Sequence, residues 1–295
     1  MSLLSFLDDY EVKQKMKEFP CPKISLTENI KIEPQTKDYG IVGTAFDYLC
    51  RFYVEYINKN IGENREWVAT VAFNRLKKVY SRNQEYLLLI TEEYAKAIHN
   101  YNLFKCNGIY TDDLVKSSLF LAVLDLYIRT GRDFIYVYRN FVFIDSFLHE
   151  NSEFSKNIND LKKLISHVPK KIFTAKKIAY LNPTFGKASN MVGGADADII
   201  IDRTLIDIKV TKNLKLTREY YNQLLGYYIL SIINGNQHKV NHIAIYFARH
   251  GYFWKIPISQ VGTKKKFEIL AEWVLKMAKE FNLQSLPPRI ITIGR

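Results

Sequence analysis

The stretch GGADADIIIDRTLIDIKVT, residues 193–211, carries three carboxylates and a lysine at a spacing that can do chemistry. Two isoleucine-rich runs, DADIIID and TLIDIKV, read as strands separated by a polar turn. With a two-residue turn at Asp202–Arg203, Asp198 faces Asp207 and Asp196 faces Lys209. Side chains alternate along a strand, so Asp196, Asp198, Asp207 and Lys209 fall on one face. Ile199, Ile201, Ile206, Ile208 and Val210 fall on the other, and a one-residue slip would exchange the two sets. Carboxylates this crowded repel one another unless a cation sits between them. Oxygen ligands at this density suit Mg²⁺ or Mn²⁺, which bind through one or two carboxylates plus substrate phosphates. A lysine beside such an ion polarises an attacking water or stabilises charge developing on phosphorus. An Asp-x-Lys alone also fits an exposed strand face with a salt bridge. What sets this one apart is Asp198 nine residues upstream of Asp207, the apolar back face, and Gly193–Gly194 before it.

Downstream, Gln223 and Tyr227 stand four apart on an expected helix over about 217–234, hence on one face, with Tyr220 and Leu230 extending the stripe. Gln223 is expected to reach a metal-bound water or a phosphate. Lys209, Lys212, Lys215 and Arg218 recur every three residues as the second strand gives way to that helix. From Leu161 to Ala195 there are seven lysines and no acidic residue, among them Lys170, Lys171, Lys176, Lys177 and Lys187. Lysines so placed are expected to contact backbone phosphates. Glu55 and Asp47 are further candidate carboxylates from an upstream helix. Asp125 and Arg129 form an i,i+4 pair that is either structural or lines the cleft. The six histidines show no metal-binding pairing, and neither a P-loop nor a GxGxxG is present.

The elements that must position these residues follow from periodicity. GTAFDYLCRFYVEYINKN, residues 43–60, repeats apolar residues at helical spacing. Further helices are expected at about 64–80, 83–106, 111–130 and 152–167. HIAIYFA and YFWKIPIS are two more strand candidates, and a last helix is expected at about 263–281. The chain therefore divides into an N-terminal arm, 1–42, irregular with Pro20, Pro22 and Pro34; a mainly helical region, 43–170; and a mixed unit, 171–295. The expected class is α/β, a mainly antiparallel or mixed sheet flanked by helices.

Asp198 followed by Asp207-Ile208-Lys209 resembles the bipartite motif of the PD-(D/E)XK nuclease superfamily, whose members share the restriction-endonuclease-like fold. Gln223-Leu224-Leu225-Gly226-Tyr227 is similar to the QxxxY motif of its RecB-like and Cas4-like branch. Helix 43–60 stands where that family has its first core helix, and 62–167 would be a helical insertion. The resemblance implies a metal-dependent phosphodiesterase acting on DNA or RNA, with DNA and exonuclease action favoured by the QxxxY motif. It also implies that Asp198, Asp207 and the Ile208 carbonyl bind the metal while Lys209 assists the nucleophile. Asp47 stands where relatives of that branch often have a histidine. The iron–sulfur cluster of Cas4-like enzymes needs four cysteines; Cys21, Cys50 and Cys106 do not supply them, so none is expected.

The composition agrees with an anionic partner. The chain has 295 residues, 47% of them apolar, and a formal charge of +12, which favours nucleic acid over a membrane surface. Three dispersed cysteines speak against a disulfide framework and suit a reducing compartment. MSLLSFLDDYEVKQK turns acidic too early for a secretory signal, and the longest uncharged stretch, Tyr220 to His238, contains Asn222, Gln223, Asn234, Asn236 and Gln237. A cytoplasmic protein with no membrane contact is the expectation. Two other functions fit the same residues: a catalytically silent nucleic-acid-binding protein, and an interaction protein working through 62–167 with a vestigial site.

Overall fold

The computed structural model describes residues 2–23, 27–63, 65–135 and 153–284. Residues 136–152 of the expected helical region and 285–295 of the expected C-terminal unit lie outside the described residues. The described chain is α/β, with twelve α-helices and one mixed five-stranded sheet. No helix among the described residues is long and apolar enough to cross a membrane.

The sheet is built from β1 (Ala179–Leu181), β2 (Ile199–Ile201), β3 (Thr204–Lys209), β4 (His242–Phe247) and β5 (Tyr252–Pro257), in that spatial order. Neighbours pair antiparallel except β3 and β4, which run parallel. A parallel pair needs a long crossover, and the helix Arg218–Ile233 provides it. The β2–β3 hairpin turns at Asp202–Arg203, with Ile199 opposite Ile206 and Ile201 opposite Thr204. That is the expected register. Asp202 takes a positive φ of 54° at the turn.

Both faces of the sheet are covered, which corrects the expectation of one apolar and one polar face. Ile199, Ile201, Ile206 and Ile208 pack into one core. The same core takes in α3 (Tyr39–Ile57), α4 (Val68–Val79), α5 (Gln84–Asn107), α6 (Asp112–Thr130) and α7 (Glu153–Ser166). Ile200, Leu205, Ile243 and Ile245 point the other way, into a second core. This second core holds α1 (Leu3–Leu7), α2 (Tyr10–Met16), α9 (Gly186–Met191), α10 (Arg218–Ile233) and α12 (Lys264–Gln284). Strands sandwiched this way read as unbroken apolar runs, and each fully buried isoleucine contributes about 1.5–3 kcal/mol. The first core runs through position 170, so α3 and its helical neighbours share one interior with the sheet.

The remaining short helices are α8 (Lys170–Phe173) and α11 (Ile258–Val261). The N-terminal arm holds two helices where an irregular stretch was expected. Ser2 and Ser5 form a reciprocal cap on α1, and the Asp9 carboxylate accepts from the Glu11 and Val12 N–H groups at 2.8 and 3.1 Å on α2. Segments of five and seven residues are too short to show helical periodicity, so only these caps announce them. α1 lies on α10 where Gly226 leaves room: a Cβ there would sit 3.1 Å from the Leu3 side chain.

α3 begins at Tyr39, a turn earlier than Gly43. The other helices and strands read from periodicity fall within a few residues of their expected limits. β1, only three residues long, had no legible pattern.

Candidate active-site cleft

A cleft of about 1130 Å³ opens where the C-terminal end of β3, the first half of α10, the first half of α3 and the end of α6 meet. Asp198 leads into β2 and Asp207 sits in β3, across from it in the continued register. Asp198 is fixed by the Ile208 N–H, which donates to its Oδ2 at 2.6 Å. Lys209 Nζ lies 2.9 Å from Asp207 Oδ2. The same ammonium donates to Gln223 Oε1 at 2.9 Å and stands 4.8 Å from the centre of the Tyr220 ring. An ammonium has only donors, so Gln223 turns its oxygen to Lys209 and its Nε2 to the Tyr227 hydroxyl, 2.9 Å away. Tyr220, Gln223 and Tyr227 share one face of α10 and all line the cleft.

α3 and α6 supply the opposite wall. Asp47 pairs with Arg51 at 2.6 Å. On α6, the buried Asp125 binds Arg129 Nε through one oxygen and accepts from the Tyr48 hydroxyl at 3.3 Å through the other. Arg129 NH2 lies 3.3 Å from Asp196 Oδ2, and Arg65 NH1 lies 3.8 Å from that oxygen. Five carboxylates therefore meet four cations here (Asp47, Asp125, Asp196, Asp198 and Asp207 against Arg51, Arg65, Arg129 and Lys209) in a chain of net charge +12.

Burial pushes the Asp198 carboxyl well above its usual range, and the charges of Asp207 and Asp47 push it further, against Lys209 and the Ile208 N–H. Burial also raises Asp207, with Lys209 opposing, and Asp47, with Arg51 opposing. Burial works to lower Lys209, but the Asp207 and Asp198 charges outweigh it and the ammonium is raised. Burial raises Tyr227 strongly, helped by Asp198 and Asp207, so its phenol stays protonated. Asp47 Oδ1 is buried with no hydrogen-bond partner, while the buried Asp207 Oδ2 has the Lys209 ammonium 2.9 Å away. Lone pairs left bare in a negative cluster fit a cation. Among the described residues no three His, Cys, Asp or Glu side chains close around a point to cage an ion.

The structure brings Asp198, Asp207, Ile208, Lys209, Gln223 and Tyr227 into one cleft, with Asp47 and Asp196 on its walls. Asp196 does not face Lys209 as expected: it leaves the hairpin to bridge Thr184, and its carboxylate goes to the arginines. Gln223 holds Lys209 directly. Glu55 is elsewhere, engaged by the Tyr101 hydroxyl at 2.6 Å and by Lys105 at 2.8 Å. Arg218 is no free phosphate contact, because its guanidinium binds the carbonyls of Phe19 and Met16 and holds the arm.

Of the expected phosphate-binding lysines, Lys212 lines the cleft, while Lys187 and Lys215 are exposed outside its lining. The Lys176 and Lys177 N–H groups bind the Asp202 carboxylate at the hairpin tip. The tip lies about 13 Å along β3 from Asp207. Lys170 and Lys171 precede Phe173, whose carbonyl accepts from Asn58 just past the far end of α3. That is about 16 Å along the helix from Asp47.

Arg51, Arg65 and Tyr48 had not been singled out. Arg51 could have been found as the i,i+4 partner of Asp47; Arg65, in a loop, gave no signal. Comparison with family models, with curated proteins and with solved structures finds no match to this chain.

Proposed function

We propose that the protein is a metal-dependent nuclease that hydrolyses phosphodiester bonds of nucleic acid, DNA in preference to RNA. One observation carries this: two facing carboxylates, the half-buried Asp198 and the buried Asp207, share a cleft with the Lys209 ammonium, which stands 2.9 Å from Asp207 Oδ2. Support comes also from the order of elements. α3, the β1–β2–β3 meander, α10 and the parallel β4 suit the PD-(D/E)XK resemblance, and Gln223 and Tyr227 look into the cleft beside Lys209.

Asp198, Asp207 and the Ile208 carbonyl would hold Mg²⁺ or Mn²⁺, with the free Oδ1 of Asp47 nearby. Such an ion supplies Lewis-acid polarisation of the phosphoryl oxygen and acidifies a bound water. The chain's own residues do the rest. The Ile208 N–H fixes the Asp198 carboxylate. Lys209, kept protonated by its acidic neighbours, donates to oxygen as negative charge builds on the phosphoryl group. Gln223 and Tyr227 hold the ammonium in that position. Circular DNA, linear DNA and single-stranded RNA are incubated with Mg²⁺, Mn²⁺ or EDTA. Cleavage that requires the metal and is lost in Asp207→Ala and Lys209→Ala supports the proposal. Wild-type rates in both variants overturn it.

A further inference from the structure

Arg129 ends α6 beside the cleft, held from behind. Its Nε is bonded to Asp125, a buried carboxylate whose other oxygen takes the Tyr48 hydroxyl at 3.3 Å. A guanidinium gripped this way cannot swing freely, and its two NH₂ groups remain for other partners. NH2 goes to Asp196 Oδ2 at 3.3 Å, and Arg65 NH1 stands 3.8 Å from the same oxygen. Charge-assisted hydrogen bonds normally close to about 2.7–2.9 Å, so two guanidinium groups converge on one oxygen with a long hydrogen bond from Arg129 and only an ion pair from Arg65. Both stay accessible, with 53% and 39% of their side chains exposed, while Asp196 is 19% exposed. Asp196 is two residues from Asp198, about 6–7 Å in extended chain. That is close to the step between neighbouring phosphates of a nucleic-acid strand.

We infer that Arg129 and Arg65 form a two-arginine clamp for the backbone phosphate next to the scissile one, and that Asp196 is the anion occupying the clamp until substrate arrives. Its placement next to a scissile phosphate rests on the nuclease reading of the cleft. A phosphodiester offers two non-bridging oxygens and can take both forks, whereas the single Asp196 oxygen is shared. The clamp is delivered by α6 and by the loop before α4, so the helical segment 62–167 takes part in the cleft and is not only packed beside it.

The test is fluorescence anisotropy with fluorescein-labelled DNA oligonucleotides, single-stranded and duplex, in EDTA across a salt series. Arg129→Ala is expected to weaken binding about tenfold or more and to lower the log–log salt slope by roughly one phosphate contact. Arg129→Lys should restore only part of the loss, because a point charge cannot make the forked contact. Asp196→Asn should tighten binding several-fold, since the competing anion is gone. Arg129→Ala leaves Asp125 buried and unpaired, so misfolding there is checked by melting. Arg129→Lys and Asp196→Asn carry the test without it. A structural staple predicts the reverse for Asp196→Asn, a lower melting temperature and weaker binding, and that result overturns the clamp. So do unchanged affinities in Arg129→Lys and Arg65→Ala. Cleavage assays on the same variants separate the two proposals. Shifted affinities with no metal-dependent cleavage overturn the nuclease and keep the clamp; cleavage with unshifted affinities does the opposite.

Discussion

Asp207→Asn should stabilise the metal-free protein while destroying its activity, the reverse of what a buried substitution usually does. Asp207 is 1% exposed, it faces Asp198, and burial raises its carboxyl even with the Lys209 ammonium 2.9 Å from its Oδ2. Taking a polar group out of water costs about 1–3 kcal/mol, and a charged one more. Asparagine keeps the shape and removes the charge that burial disfavours, and Lys209 retains Gln223 and the Asp198 charge. With unfolding entropy near 2.1 cal/mol/K per residue, a gain of about 1–3 kcal/mol raises Tm by about 2–5 °C in a chain of 295 residues. The pH dependence fixes the sign. The folded-state carboxyl is raised above its ordinary 3.8. The folded state therefore holds a proton that the unfolded state has lost, and wild-type stability falls as pH climbs from about 4 through the raised value. The variant lacks that loss, so its advantage is largest near pH 8 and vanishes near pH 4. Calorimetry in EDTA across that range measures it. Adding Mg²⁺ should lift the wild-type Tm by mass action and leave the variant unmoved. A lower Tm for Asp207→Asn at every pH would show that Asp207 is a net stabilising partner of Lys209, and would refute the excess of negative charge on which the cation site depends.

Gln223→Ala should slow cleavage by about 10- to 100-fold, the usual cost of losing a group that orients another, with Tm little changed; Tyr227→Phe should be milder, because Gln223 still reaches Lys209. Single-turnover kinetics checks both, and a normal rate in Gln223→Ala would show that Lys209 needs no orienting. Replacing Lys170, Lys171, Lys176 and Lys177 together by alanine should leave kcat unchanged, since the backbone contacts beside them, at the hairpin tip and past the end of α3, lie about 13–16 Å along β3 and α3 from Asp207 and Asp47, beyond the Debye length of about 8 Å at physiological salt. A tenfold fall in kcat would place them in the reaction after all. Asp160 and Arg249 form a fully buried two-pronged pair at 2.8 and 2.7 Å, which ties α7 to the end of β4. Asp160→Ala should cost about 3–5 kcal/mol in denaturant unfolding by stranding the guanidinium, and an Asp160→Leu/Arg249→Met pair should recover most of it.

The hairpin was legible because its determinants are local. A two-residue turn at Asp202–Arg203 and a period of two fix which side chains face each other, so Asp198, one step beyond the Ile199–Ile206 pair, falls opposite Asp207. The stripe of Tyr220, Gln223 and Tyr227 was legible for the same reason, since a helix of this length must place them on one face. What lies across space from them was not. The second helical layer buries Ile200 and Leu205 on the carboxylate side, and no spacing within the hairpin announces it. Asp196 has the right parity to join the carboxylates, but the bridge to Thr184 draws it out of the ladder and two arginines claim it. The basic stretch precedes the site in sequence yet sits at the other end of the sheet, because Asp202 binds the Lys176 and Lys177 N–H groups at the hairpin tip. Charge and type can be counted along a chain. Which of five carboxylates shares a cleft with which of four cations is set by contacts between α3, α6, α10 and the sheet, and those exist only once the layers have packed.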